Sequence, residues 1–220
     1  MLNERLVEAN RLVNQHLLKS ETEIMEYNWQ QFVYPILESN NVKVVPFRFN
    51  GVASELQAGS LVIRNSKAKI FYNSTMIKSR INFTICHETG HFIFDTNYGE
   101  TPEYLASSWL GEYDDDEVFN EKLTDATAGV IMCPDIVILK YMETDLSFVR
   151  MAENLKMSKS ALYVRLVQFL YTKIGCKESH AVELVNKFKY TNDRYFIYSR
   201  LASWGSTKKQ DIIYEYENCL

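Results

Sequence analysis

Apolar residues recur along this chain at two different spacings, and the change of spacing marks a change from helix to strand. Residues 3–19 and 29–37 place apolar side chains three or four positions apart among polar ones, which is typical of amphipathic helices. Three short runs rich in β-branched and aromatic residues follow, at 42–47, 60–64 and 68–72. The pattern predicts two helices followed by a small antiparallel sheet. Residues 65–67, between the second and third runs, suit a hairpin turn.

A further helix is predicted to begin after the third run and to continue to about Phe94. The cluster Asn73-Ser74-Thr75 supplies side chains that commonly cap the first turn of a helix. Between this cluster and Phe94, Gly90 is the one residue that weakens a helix. We therefore expect one long helix that starts at the Asn73 cluster and tolerates Gly90. Residues 96–113, which follow it, are predicted to form a loop with a short helical patch near Tyr104 and Leu105.

This predicted helix contains the sequence HETGH at residues 87–91, which holds two of the four histidines of the chain. Residues four apart lie on the same face of a helix, one turn from each other. His87 and His91 can therefore offer two imidazole nitrogens to one metal ion. Glu88 lies beside them, where it can take a proton from an attacking water. The motif predicts a zinc site in which Glu88 is the catalytic residue.

A zinc site with two histidines needs a third protein ligand, and carboxylates occur on the next predicted helix. Glu121 and Asp125 are four apart and share one face. Glu121 can supply the third ligand, and Asp125 can accept the outer ring N–H of a ligating histidine. Glu117, one turn earlier, is an alternative third ligand. A solvated acidic helix face is the alternative that needs no metal.

Composition narrows the classes of function. A hydrophobic fraction of 46% and a charged fraction of 24% are typical of a globular protein, and a net charge of -4 argues against a general nucleic-acid binder. Without a secretory signal or an apolar run of membrane-spanning length, we expect a cytoplasmic protein with no membrane partner. The four cysteines form no C-x-x-C pair and are predicted to be reduced. We interpret Cys86 as a core thiol, because adjacent helical residues point in different directions.

The last third of the chain predicts a pair of helices and then an aromatic-rich extension. Residues 146–169 suit a helix, a short turn and a second helix with Ser158 as its N-cap, in the manner of a helix-turn-helix. Lys156 stands where the turn usually has glycine. Basic residues are few: Arg150, Lys156, Lys159 and Arg165. We therefore expect a structural helix pair and no direct DNA binding.

The chain is accordingly predicted to have three parts. Residues 1–142 form a catalytic domain, residues 143–175 form the helix-turn-helix-like part, and residues 176–220 form the extension. Tyrosines in the extension suit either packing on the core or an interface with a partner.

Two stretches resemble the signatures of a known family. Residues 80–91, RINFTICHETGH, resemble the R-x-x-F-T-x-x-H-E-x-G-H signature of the ImmA/IrrE-type metallopeptidases. Residues 121–134, EKLTDATAGVIMCP, are similar to the second signature, a glutamate followed by A-N-x-F-A and a run ending in L-L-M-P. The spacing is kept, while Thr124-Asp125 replaces Ala-Asn, Thr127 replaces Phe and Cys133 replaces Met. The resemblance covers roughly residues 1–172.

This resemblance implies an α+β, zincin-like catalytic domain followed by a helical part. It also implies a gluzincin-type zinc site with His87, His91 and Glu121 as ligands and Glu88 as the general base. Family members often belong to phages or integrative elements, where they act as anti-repressors that cleave, or are proposed to cleave, a helix-turn-helix repressor. A protein substrate of this kind is therefore the expected partner. The alternative is a non-proteolytic zincin-like regulator that binds a repressor or DNA.

Peptide hydrolysis would need two further features. An oxyanion needs a donor besides the metal, and the candidates are Tyr98, Tyr104, Tyr113 and His180. An extended substrate could pair with an exposed sheet edge, and by analogy with other zincins the strand at residues 69–72 is expected to supply it.

Overall fold

The protein is described here by a computed structural model. It covers the backbone of residues 2–48, 57–96, 103–109, 115–202 and 207–220 and the side chains of residues 4–48, 57–96, 103–105, 118–202 and 207–220. Within these ranges the chain has ten α-helices and a four-stranded sheet, which confirms the predicted α+β class.

The helices are α1 (Leu2–Lys19), α2 (Trp29–Ser39), α3 (Lys78–Phe94), α4 (Asp115–Met132), α5 (Asp135–Met142), α6 (Phe148–Asn154), α7 (Lys159–Thr172), α8 (Glu178–Thr191), α9 (Tyr195–Ala202) and α10 (Lys208–Glu217), with a short 3-10 helix at Ile24–Glu26. The strands are β1 (Lys43–Phe47), β2 (Gln57–Arg64), β3 (Lys67–Asn73) and β4 (Glu103–Trp109).

The sheet has the strand order β1-β3-β2-β4 and is mixed. β2 and β3 form the predicted antiparallel hairpin, and its two loop residues, Asn65 and Ser66, have φ of 51° and 57°. Positive φ at both positions defines a type I′ turn, whose twist matches that of the strands. β1 runs parallel to β3, so the prediction of a wholly antiparallel sheet is wrong for this pair.

The position of β4 corrects two predictions. Residues 103–109 form a strand antiparallel to β2, where the sequence predicted a loop with a short helical patch. With β4 in place, β2 and β3 are both central strands, and the described edges of the sheet are β1 and β4. The prediction that residues 69–72 form an edge strand is therefore wrong, because β3 has a partner on each side.

The chain divides into two compact units. One unit, residues 30–128, contains the sheet, α3 and the first part of α4. The other joins residues 1–29 to residues 129–220 and contains most of the remaining helices. The division predicted from the sequence, with boundaries near 142 and 175, stays a prediction.

The helical unit contains the predicted helix pair. Ser158 is the N-cap of α7 and accepts a hydrogen bond of 3.0 Å from the backbone N–H of Ala161, as predicted. Lys156, in the turn before α7, has a φ of 55°, the left-handed conformation for which glycine is usual. Arg165 is buried, forms an ion pair with Asp135 and donates a hydrogen bond of 2.8 Å to the carbonyl of Cys133.

The extension buries aliphatic side chains and exposes some of its tyrosines. Ile197, Leu201 and Ile212 are buried, whereas Tyr195 and Tyr214 are exposed. Among the helices in the described ranges, none has both the length and the apolar character needed to cross a bilayer.

Candidate metal centre

Helix α3 begins later than the sequence predicted. Its N-cap is Ile77, which gives no side-chain cap, so the prediction that the Asn73 cluster caps this helix is wrong. The Asn73 side chain is used differently: Oδ1 accepts from the backbone N–H of Thr75 at 3.1 Å, and Nδ2 donates to the carbonyl of Gln57 at 3.1 Å. Asn73 therefore shapes the turn out of β3 and links it to β2.

The helix lies close to the sheet at Gly59 in β2. A Cβ at Gly59 would lie 2.3 Å from Cγ2 of Thr84, 2.7 Å from the carbonyl oxygen of Phe71 and 3.4 Å from Oε1 of Glu88. Only a residue without a side chain fits in this space. The backbone of β2 at Gly59 therefore lies next to the carboxylate of Glu88.

A second close approach joins α3 to α4. A Cβ at Gly90 would lie 3.2 Å from Cγ2 of Thr124 and 3.6 Å from Cγ2 of Thr127. The hydroxyls of both threonines bond to carbonyls of their own helix, at Asn120 and Leu123. Their methyl groups face Gly90. Because Gly90 has no side chain, the two helices can approach each other near the motif.

This packing brings two histidines and a carboxylate together. Nε2 of His87 and Nε2 of His91 are 3.1 Å apart. The carboxylate of Glu121 lies 3.1 Å from the first nitrogen and 3.3 Å from the second. Ligand bonds of about 2.0–2.1 Å place neighbouring donors of a tetrahedral ion about 3.3 Å apart. The three residues therefore form a group that could hold a metal ion.

The outer nitrogens of both imidazoles have carboxylate partners. Nδ1 of His87 lies 2.8 Å from Oδ1 of Asp125, the contact that the sequence predicted for this aspartate. Nδ1 of His91 lies 2.7 Å from Oδ2 of Asp95. Sequence reasoning missed Asp95, although its spacing of four from His91 on a helix was available as a signal.

Charge and burial shift the pKa of each of these groups. Burial lowers the pKa of His87, but hydrogen bonds with Asp125 and Glu121 outweigh it and raise the value to about 10. Burial likewise opposes the protonation of His91, but Asp95 and Glu121 raise its pKa above the usual range. Burial raises the pKa of Glu121, yet the two histidines overcome it and lower the value to about 2. The negative charge of Glu88 also raises the pKa of both histidines.

Other predicted residues have different positions. Cys86 is fully buried, and burial raises the pKa of its thiol well above the usual value, so it is not a thiolate ligand. Tyr104 places its hydroxyl 3.4 Å from Nδ1 of His91. His180 belongs to the helical unit, where it lies 3.1 Å from Arg200 and 3.6 Å from Glu183. Tyr98, Tyr113 and the side chain of the alternative ligand Glu117 lie outside the described residues.

The fold and this group of two histidines and a glutamate define a zincin-like domain. The model of the Peptidase M78 family, described as an IrrE N-terminal-like domain, matches residues 38–167, more than half of the chain. The chain therefore belongs to this peptidase family, which confirms the resemblance read from the two signatures. No curated protein matches the chain in a sequence search.

Proposed function

We propose that this chain is a zinc-dependent peptidase of the gluzincin type, and that it cleaves a specific protein, a helix-turn-helix repressor of a phage or mobile element. The observation that carries the proposal is the convergence of His87, His91 and Glu121, next to the buried carboxylate of Glu88. In this proposal the first three residues are the metal ligands and Glu88 is the general base, as the sequence predicted. The family match supports a peptidase activity.

The donor set suits zinc. Two imidazole nitrogens and one carboxylate, with a fourth position left for water or substrate, are typical of catalytic zinc sites. Carboxylates at both outer ring nitrogens add the supporting contacts that such ligands usually have. A zinc ion bound here would polarise the scissile carbonyl and lower the pKa of the attacking water toward about 7.

The chain's own residues have the remaining tasks of the reaction. Glu88 takes a proton from the attacking water on its carboxylate as the oxygen bonds to the carbonyl carbon. When the C–N bond breaks, Glu88 delivers this proton to the leaving amine nitrogen. The backbone at Gly59 lies beside the carboxylate of Glu88, and Asp125 orients the ring of His87.

Among the described strands, β4 lies at an edge of the sheet and offers a place for an extended substrate. It is next to β2 on one side, and Tyr104, one of its residues, reaches the ring of His91. A peptide that adds to β4 as a further strand would run beside the proposed zinc site. The cleaved segment is accordingly expected to be extended when it binds.

Most basic side chains of the helix pair bond to other residues of the protein. They are therefore less able to bind DNA phosphates, which favours proteolysis over direct DNA binding. Arg165 is buried against Asp135, Arg150 pairs with Glu153 at 2.9 Å, and Lys156 bonds to Asn28 at 3.4 Å. Of these four basic residues, Lys159 is the one that has no partner within the described part of the chain, and its side chain is exposed. DNA binding by this pair would need more cations than these.

The experiment that tests the proposal compares all protein N-termini in native host cells with and without this chain. We expect a small number of new N-termini that require the chain, and we expect one of them to lie inside a helix-turn-helix repressor. Identical N-termini in both strains, together with stoichiometric zinc and repressor binding by the purified chain, would instead support the non-proteolytic regulator.

A further inference from the structure

His91 has a carboxylate partner on its own helix. Asp95 follows His91 by one turn, and its Oδ2 lies 2.7 Å from Nδ1 of the ring. Asp95 is also the C-cap of α3, and its backbone N–H donates to the carbonyl of His91 at 2.9 Å. Backbone and side chain of Asp95 therefore both bond to the same residue, which fixes the carboxylate relative to the ring.

The two histidines are held by different parts of the fold. The partner of His87 is Asp125, which lies on α4 and 38 positions away in the chain. The partner of His91 lies four positions away, at the C-cap of the same helix. The first contact depends on the packing of two helices, whereas the second is built into one turn of α3.

A carboxylate at Nδ1 selects one form of the imidazole ring. A neutral imidazole carries one hydrogen, on either nitrogen, and a carboxylate can only accept. Asp95 therefore favours the ring form with hydrogen on Nδ1, in which Nε2 has its lone pair free. Nε2 is the nitrogen that lies 3.3 Å from Glu121 and 3.1 Å from His87. The hydroxyl of Tyr104, 3.4 Å from Nδ1, can donate or accept and so cannot select a form.

We propose that Asp95 is a positioning residue of the metal centre, which holds His91 in the orientation and ring form that bind the metal through Nε2. This inference rests on the proposed zinc site. It assigns to Asp95, at His91, the task that the sequence predicted for Asp125 at a ligating histidine, which the structure shows to be His87.

The first test measures the zinc affinity of the purified full chain by competition with a chelator. In Asp95→Asn the amide can donate to Nδ1 as well as accept from it, so it no longer selects the ring form. We expect the affinity to fall about 10–100-fold, as is usual when such a partner is removed. Asp95→Glu keeps a carboxylate at this position and should recover part of the loss. Glu38→Gln, an equal charge change at an exposed residue of α2, should leave the affinity unchanged.

The second test reads the ring hydrogens directly by NMR of the zinc-loaded chain. Wild type should show slowly exchanging Nδ1–H signals for both His87 and His91. Asp95→Asn should shift or lose only the signal of His91, and Asp125→Asn only that of His87. A purely structural role of Asp95 would not give this selectivity.

The outcomes separate this inference from the proposed function. If wild type binds zinc while Asp95→Asn keeps both the affinity and the His91 signal, the inference is wrong and the zinc site stands. If wild type binds no zinc, the proposed function and the inference both fail. Circular dichroism of each variant will show whether it is folded. If Asp95→Asn does not fold, Asp95→Glu is compared with wild type in zinc affinity and in the His91 signal.

Discussion

Asp125 of α4 lies 2.8 Å from Nδ1 of His87 on α3, although 38 positions separate the two residues in the chain. Gly90 lets the two helices approach, because the methyl groups of Thr124 and Thr127 lie 3.2 and 3.6 Å from the place that a Cβ of Gly90 would take. The geometry of the candidate metal centre is thus set by helix packing as well as by the spacing within the motif.

The stability of the metal-free protein should depend on pH in both directions. The pKa of His87 is raised to about 10 in the fold, so its contribution is complete below its unfolded value near 6.5 and is lost as pH rises toward 10. The pKa of Glu121 is lowered to about 2, so its contribution is complete above about 4.5 and is lost as pH falls toward 2. The midpoint of thermal unfolding of the chelator-treated chain should therefore be highest between about pH 4.5 and about pH 6.5, where both contributions are complete.

The zinc affinity should increase with pH. At neutral pH the ring of His87 is protonated in the metal-free chain, and zinc must displace that proton. Zinc affinity should therefore rise with pH from about 7 to 10, with proton release visible by calorimetry in buffers of different ionisation enthalpy. An affinity that falls over this range, or binding without proton release, would contradict the assigned ligands.

Gly59→Ala should destabilise the protein by about 1–3 kcal/mol, the usual effect of overpacking. The added Cβ would lie 2.7 Å from a backbone oxygen and 2.3 Å from the Thr84 methyl group, so no flexible side chain can relieve the contact completely. Adding Thr84→Ser removes that methyl group and should restore part of the loss, as urea titration will show.

Gly90→Ala is the matched control. Its Cβ would meet side-chain methyl groups at 3.2 and 3.6 Å, and alanine favours a helix over glycine by about 1 kcal/mol. This variant should be affected less than Gly59→Ala. Equal or greater destabilisation would mean that the helix–sheet contact is not the tighter of the two.

Tyr104→Phe should have only a modest effect on cleavage of the repressor. The Tyr104 hydroxyl lies beside Nδ1 of His91, whereas Nε2 is the nitrogen that faces the other ligands. Removal of an oxyanion donor lowers kcat about 10²–10³-fold. A loss of that size with unchanged zinc affinity would show that Tyr104 is the donor and that our reading of its position is wrong.

Local patterns in the sequence predicted the local features of the fold. The spacing of four within HETGH, the β2–β3 hairpin at Asn65 and the Ser158 cap all depend on neighbouring residues, and their elements form as expected. The carboxylate pair Glu121 and Asp125 also lies where its helical spacing and the family signature placed it.

Features that depend on distant partners were missed. The direction of β1 is set by its pairing with β3, and the residues of β1 do not indicate which strand it pairs with. β4 contains small and polar residues, and its strand form depends on pairing with β2. Asn73 resembles a helix cap, but Gln57, from a different strand, engages its amide. Asp95 was overlooked because it ends the helix, where an aspartate is ordinarily read as the start of a loop.

The most direct test of the central claim compares wild type with Glu88→Gln. Glutamine has nearly the same shape as glutamate but cannot take the proton, and Glu88 is not among the three ligands. Both purified proteins should hold one zinc ion per chain, and only wild type should cut the repressor identified from the new N-termini. Cleavage by Glu88→Gln at the wild-type rate would contradict the account.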